Sequence, residues 1–217
     1  MAPDIKFCGL TRPIDAQTAV ELGAAYVGVI FAGGPRQRTI EQAAAILAGL
    51  PSSVRRVGVF GAQPAEVVAS MASTLALDVV QLHDGGDFSA VERLRKLTSS
   101  EIWVVMRLSR GFLPENSKAI AATADGIVLD TYVPGVLGGT GVALPWEELA
   151  SRLDELRSTR LILAGGLRPE NVARAVSLVA PDVVDVSSGV EIEVGIKDRE
   201  KMRAFRDAAS QASIPTQ

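Results

Sequence analysis

Residues Arg160 to Gly189 read RLILAGGLRPENVARAVSLVAPDVVDVSSG. The run Arg160 to Ala164 is apolar and of strand length, and it stops at Gly165-Gly166. Pro169 to Val179 reads as a helix, with the proline near its first turn, where a missing N–H costs nothing. Val183 to Ser187 is a second apolar run, and it stops at Ser188-Gly189. Strand, helix and strand in this order imply parallel pairing with a right-handed crossover.

The same alternation extends through the rest of the chain. Strands are expected at Ile5 to Cys8, Ala25 to Phe31, Val54 to Phe60, Asp78 to His83, Ile102 to Leu108 and Gly126 to Asp130. Helices are expected at Asp15 to Leu22, Ile40 to Leu50, Pro64 to Leu75, Phe88 to Leu97, Pro114 to Ala122, Pro145 to Leu156 and Arg199 to Ala209. With the quoted unit this makes eight strands and eight helices. Eight such units close into an α/β, parallel, eight-stranded (β/α)8 TIM barrel; an open doubly wound sheet is the alternative. About 250 residues is typical for the barrel, so one of 217 residues is compact. A single domain over 1–217 is expected, with a small, polar tail at 210–217 that frays.

Composition narrows the functional classes. There are 22 basic and 25 acidic residues, a net charge of −3, which argues against a sequence-independent nucleic-acid binder. One Cys precludes an intrachain disulfide, and one Cys with one His precludes the usual Cys/His zinc cages. The N-terminus lacks a basic stretch followed by an apolar core, and the apolar window Leu22 to Gly34 is too short to span a bilayer. An intracellular, cytoplasmic protein without membrane or nucleic-acid partners is expected. The mean hydropathy of +0.24 suits strands covered on both faces.

In barrels of this kind, chemistry gathers at the C-terminal ends of the strands and in the loops beyond. That rule selects Cys8, Arg36, Phe60, His83, Arg107, Asp130, Gly165-Gly166 and Ser187-Ser188-Gly189. The two Gly/Ser turns follow strands seven and eight, where backbone amides commonly form a phosphate site; tight turns are the plain alternative. Asp130 is either a general acid or a capped, salt-bridged rim residue. Cys8 is either a small buried filler or a thiol activated by nearby cations. Arg36, on a Gly-rich loop, offers a bidentate fork to a carboxylate or phosphate; a solvated loop charge is the alternative, and the better reading for Arg38. His83 suits a proton shuttle or a structural hydrogen bond. Lys6 shares a face with Cys8, so a Schiff base is conceivable, although a buried pair with Asp185 fits better. The segment Thr131 to Leu144, with Gly135, Gly138, Gly139 and Gly141, suits an active-site lid.

Together these residues resemble the phosphoribosylanthranilate isomerase family of tryptophan biosynthesis over nearly the whole chain. The matching stretches are Lys6-Phe7-Cys8-Gly9-Leu10-Thr11, Pro35-Arg36, Val57-Gly58-Val59-Phe60, Val80-Gln81-Leu82-His83, Leu129-Asp130 and Gly138-Gly139-Thr140-Gly141. Leu163 through Val172 and Val184 through Glu191 complete them. The resemblance implies a (β/α)8 barrel and an Amadori rearrangement of N-(5-phosphoribosyl)anthranilate without metal or cofactor. It implies Cys8 as general base, Asp130 as general acid and Arg36 on the anthranilate carboxylate. His83, Gly139, Gly165, Gly166, Ser187, Ser188 and Gly189 would complete the substrate site. The expected partner is one phosphorylated small molecule, in a monomer or homodimer. Three positions depart from the family pattern: Asp84 after the His, Gly34 before Pro35-Arg36, and Pro145 before Trp146. Other readings are a phosphosugar aldolase using Lys6, a non-catalytic phosphate binder, and an isomerase acting also on a histidine-pathway aminoaldose. Barrels of the last kind use paired aspartates, whereas strand one here ends in Cys8.

Overall fold

The computed structural model describes residues 2–83, 88–108, 112–131 and 145–212, of which the side chains of Phe88 and Thr131 are left aside. Eight parallel strands close into a barrel in chain order: β1 (Asp4–Phe7), β2 (Tyr26–Ile30), β3 (Arg55–Phe60), β4 (Val79–Leu82), β5 (Glu101–Leu108), β6 (Gly126–Thr131), β7 (Arg160–Leu163) and β8 (Val183–Val186). β8 returns to pair with β1, so the doubly wound alternative is excluded. The intervening helices are α1 (Pro13–Glu21), α2 (Ile40–Leu47), α3 (Ala65–Thr74), α4 (Phe88–Arg95), α5 (Ser117–Ala121), α6 (Trp146–Ala150), α7 (Val172–Val179) and α8 (Arg199–Gln211). None of the helices among the described residues is long and apolar enough to cross a membrane.

Two apolar layers hold the barrel. The larger lies between strands and helices and includes Phe7, Leu129, Leu163, Val176 and Phe205. The smaller fills the barrel itself with Tyr26, Val57, Val79, Trp103, Val105, Val128, Ile162 and Val183. Trp103 and Tyr26 pack with ring centroids 5.0 Å apart. Both faces of each strand are therefore covered, which accounts for strands that read as continuous apolar runs. At the rim near Trp103, Glu101 accepts hydrogen bonds from Arg55 (2.8 Å), Arg160 (2.7 Å) and the Trp103 indole (3.1 Å).

Several boundaries differ from the sequence reading; α2 stops at Leu47 rather than Leu50, and α5 starts at Ser117 rather than Pro114. The helix expected over Pro145 to Leu156 is split into α6 and one 3-10 turn, Asp154–Leu156. There Ser151 Oγ donates to the Glu148 carbonyl at 2.9 Å and competes with the backbone for it. α7 starts at Val172 rather than Pro169, because Asn171 ties up the turn before it: its Nδ2 donates to Gly166 O (2.9 Å) and its Oδ1 accepts from Arg168 N (2.8 Å). α8 runs to Gln211, two residues into the stretch expected to fray, while 213–217 lie outside the described residues. The sequence reading also missed a two-stranded hairpin between β8 and α8: β9 (Glu191–Glu193) and β10 (Ile196–Lys197). Both strands are too short to show a period-2 pattern.

Candidate active site

Side chains alternate along a strand, so the residues sharing a face with the interior packing can be read off directly. In β3, Val57 points inward and Val59 follows it into the mouth. In β4 the same sequence is Val79, Gln81, His83. In β6 it is Val128, Asp130, and in β8 Val183, Asp185, Ser187. One cleft collects these ends. It is lined by Cys8, Ile30, Val59, Gln81, His83, Val128, Asp130, Ala164 and Asp185, with Gly33, Gly34, Pro35 and Arg36 on one side. Gly165, Gly166, Leu167, Ser187, Ser188 and Gly189 lie on another.

Nine of the residues expected at the site line this cleft: Cys8, Arg36, His83, Asp130, Gly165, Gly166, Ser187, Ser188 and Gly189. Gly139, Asp84 and all but the first residue of the lid expected over Thr131 to Leu144 lie outside the described residues. Phe60 is a correction: the inward positions of β3 are Val57 and Val59, so Phe60 faces the helices and stacks on Phe31, with centroids 5.0 Å apart. Arg107 and Arg38 are not among the lining residues; Arg107 pairs with Asp130 in the β5–β6 register.

Beneath the cleft lies a charged layer. Lys6 is fully buried, and its Nζ donates to Asp185 Oδ2 (2.6 Å) and Gln81 Oε1 (2.9 Å). β1–β8 pairing puts Lys6 and Asp185 directly opposite each other, so the ion pair expected from sequence is present. An ammonium held in this way is not a free amine, which argues against Schiff-base chemistry. Burial pulls the Lys6 pKa down, but the charges of Asp185 and Cys8 outweigh it, and the net direction is up. Asp185 Oδ1 is buried without a hydrogen-bond partner among the described residues, and Asp185 lines the cleft.

Cys8 is the residue after β1 and is buried. Gly28 makes space for it: a Cβ at that position would lie 3.0 Å from Cys8 Sγ. Burial pushes the thiol pKa up and Asp185 adds to the rise, while Lys6 and Lys197 oppose it without cancelling it. The resting group is therefore a thiol, with two ammonium groups positioned to favour its thiolate.

On the opposite side of Cys8, Arg36 forms a two-pronged pair with Glu191: Nε to Oε1 at 2.8 Å and Nη2 to Oε2 at 2.7 Å. Lys197 Nζ also donates to Glu191 Oε1 (2.9 Å), and to the Ser187 carbonyl (3.0 Å). Gly9, at φ +67, allows this arrangement, since a Cβ there would sit 2.8 Å from both Arg36 Cδ and Ser187 Oγ. The turn after β7 places Gly165 and Gly166 at φ +81 and +67, which only glycine adopts without strain. The turn after β8 winds into one 3-10 turn, Ser188–Val190.

Glu191, Lys197 and Gln81 carry no role in the sequence reading. Gln81 was accessible to it, as the inward residue between Val79 and His83. Glu191 and Lys197 meet only because the hairpin folds back. Among the described residues, no group of three or more His, Cys, Asp or Glu side chains is arranged to hold a metal ion.

Fold and site together define a (β/α)8-barrel enzyme with a thiol, a carboxyl and an arginine around one mouth. Residues 5–208 match the family model of N-(5'-phosphoribosyl)anthranilate isomerase. The N-(5'-phosphoribosyl)anthranilate isomerase of Pseudomonas fluorescens is 42% identical over 209 residues, 94% of this chain and 96% of that one. The crystal structure of phosphoribosyl anthranilate isomerase from Thermotoga maritima superposes with TM-score 0.87 at 33% identity, covering 95% of this chain and 98% of that one. A phosphoribosyl anthranilate isomerase in complex with reduced 1-(o-carboxyphenylamino)-1-deoxyribulose 5-phosphate gives TM-score 0.83 at 32% identity, with the same coverage. The chain belongs to the N-(5'-phosphoribosyl)anthranilate isomerase family.

Proposed function

We propose that this chain converts N-(5-phosphoribosyl)anthranilate to 1-(2-carboxyphenylamino)-1-deoxyribulose 5-phosphate in tryptophan biosynthesis, with Asp130 as acid and Cys8 as base. The supporting observation is that β1 and β6 deliver a thiol and a carboxyl into one cleft that also holds Arg36 and the two turns. Asp130 protonates the furanose ring oxygen, and the ring opens to an iminium ion. The iminium acidifies the proton on C2, and the Cys8 thiolate removes it. The resulting enolamine tautomerises to the ketone. The conjugated chain of the substrate is itself the electron sink. Each proton transfer by a positioned group contributes about 10²–10⁴-fold.

Arg36 takes the anthranilate carboxylate, because its planar fork matches two oxygens. Gly165, Gly166, Ser187, Ser188 and Gly189 surround the phosphate with backbone and hydroxyl donors. His83 also lines the cleft. The bound reduced product analogue in the relative supports this class of ligand. The test is turnover, followed by loss of substrate fluorescence, in Cys8→Ser and Asp130→Asn. Each is expected to lose most of kcat while still binding the reduced product analogue. Wild-type turnover in both would refute the assignment of roles.

A further inference from the structure

The Arg36–Glu191–Lys197 cluster raises a problem that its own geometry resolves. A guanidinium has two edges that match a carboxylate: Nε with Nη2, and Nη1 with Nη2. Glu191 occupies the first, through bonds of 2.8 and 2.7 Å. This fixes the plane of the guanidinium and leaves the Nη1–Nη2 edge for a ligand, on a residue that lines the cleft. A pair of opposite charges is neutral, however, and would attract an anion weakly. Lys197 changes that balance. Its side chain is fully buried, and its Nζ bonds Glu191 Oε1 at 2.9 Å and Ser187 O at 3.0 Å. Burial pulls the Lys197 pKa below its ordinary value against the pull of Glu191; with Lys197 protonated, two cations share one carboxylate and the trio carries one net positive charge beside the cleft. Burial alone would lift the Glu191 carboxyl; the Arg36 hydrogen bonds and the Lys197 charge outweigh it and hold it ionised, below the usual carboxylate range.

The hairpin is anchored for this purpose. Lys201 Nζ donates to Glu191 O (2.7 Å), Arg12 Nη2 to Lys197 O (3.3 Å), and the Thr11 hydroxyl to Gly195 O. Both ends of the cluster are thereby fixed to α8 and to the loop after β1.

We propose that Glu191 and Lys197, on the β9–β10 hairpin, are positioning residues for Arg36: Glu191 aims the guanidinium, and Lys197 supplies the charge that Glu191 would otherwise cancel. The consequence is specificity for a ligand carboxylate at that end of the cleft. This inference rests on the reading above that Arg36 receives the anthranilate carboxylate.

The experiment measures binding of two probes by calorimetry: reduced 1-(o-carboxyphenylamino)-1-deoxyribulose 5-phosphate and its phenyl counterpart without the carboxylate. Glu191→Gln and Lys197→Met are each expected to weaken the first probe about tenfold, as loss of a charge-assisted contact does, and to leave the second within about twofold. In an Arg36→Met background neither variant has a further effect on the first probe. Lys197→Arg, which keeps the charge, retains the wild-type preference, and Lys197→Gln supplies the neutral arm if Lys197→Met does not fold. For turnover, Glu191→Gln raises KM; Lys197→Met raises KM and also lowers kcat, because Lys197 is one of the two ammonium groups that favour the Cys8 thiolate. If Arg36→Met alone weakens both probes equally, Arg36 does not receive the carboxylate, and both readings fall. If Arg36→Met is selective but Glu191→Gln and Lys197→Met weaken both probes equally or neither, the role of Arg36 stands and this inference is overturned.

Discussion

Gly189→Ala should separate phosphate binding from folding, and the structure sets its size. Gly189 is the second residue of the 3-10 turn after β8 and lines the cleft. A Cβ there would lie 1.9 Å from the Leu167 carbonyl oxygen and 3.0 Å from Arg168 Cγ. Real Cβ contacts essentially never fall under 3.0 Å, and the nearest atom is backbone, so it cannot swing aside. The turns after β7 and β8 must therefore part by about 1 Å, and a misplacement of that size can cost about 10²-fold in catalysis. Overpacking adds about 1–3 kcal/mol of destabilisation. In a chain of this length that lowers Tm by roughly 2–12 °C. Gly33→Ala is the matched control: Gly33 also lines the cleft, but a Cβ there meets nothing within 4 Å. The assays are KM for the phosphorylated substrate, inhibition by inorganic phosphate, and thermal melting of both variants. Gly189→Ala should raise KM and the phosphate inhibition constant together, and Gly33→Ala should change neither. A Gly189→Ala enzyme with wild-type KM and phosphate inhibition would refute the role given to these two turns.

Other consequences follow from the buried charges and the β7 turn. Lys6→Met strands the Asp185 carboxylate and should cost about 3–5 kcal/mol in urea unfolding, most of it recovered in Lys6→Met/Asp185→Leu; an undiminished single variant would rule out the pair as described. Burial raises the Cys8 thiol above its ordinary range despite Lys6 and Lys197. A base with a raised pKa is deprotonated only above that value, so kcat/KM should still climb past about pH 8.5. A profile flat from about pH 6 to 9 would remove Cys8 as the base. Asn171→Ala loses both bonds that brace the Gly165-Gly166 turn and should cost about 1 kcal/mol by thermal melting, with a several-fold higher KM; an unchanged KM would show that the turn holds without it.

The barrel was legible because its signals are local. Strand-length apolar runs alternating with helices set the eight units, and the rule that barrel chemistry gathers at strand C-termini placed Cys8, His83, Asp130 and Ser187 at the mouth, though it picked the outward Phe60 as well. A serine or asparagine competing for backbone groups is subtler, and that is why α6 breaks and α7 begins where Ser151 and Asn171 hydrogen-bond rather than where the pattern starts. What the sequence by itself determined, then, is which residues stand at the mouth. Closure of the sheet and the fold of the hairpin decided which others touch them: the Lys6–Asp185 pair, 179 residues apart, was expected, but the Arg36–Glu191 pair, 155 residues apart, was not. The protonation of Cys8 also belongs to the tertiary structure, since it is a balance between desolvation and charges brought from β8, the hairpin and β1 itself. No neighbour in the chain reveals such a balance, because electrostatic energy depends on distance and burial in space, and both exist only once β8 has closed on β1.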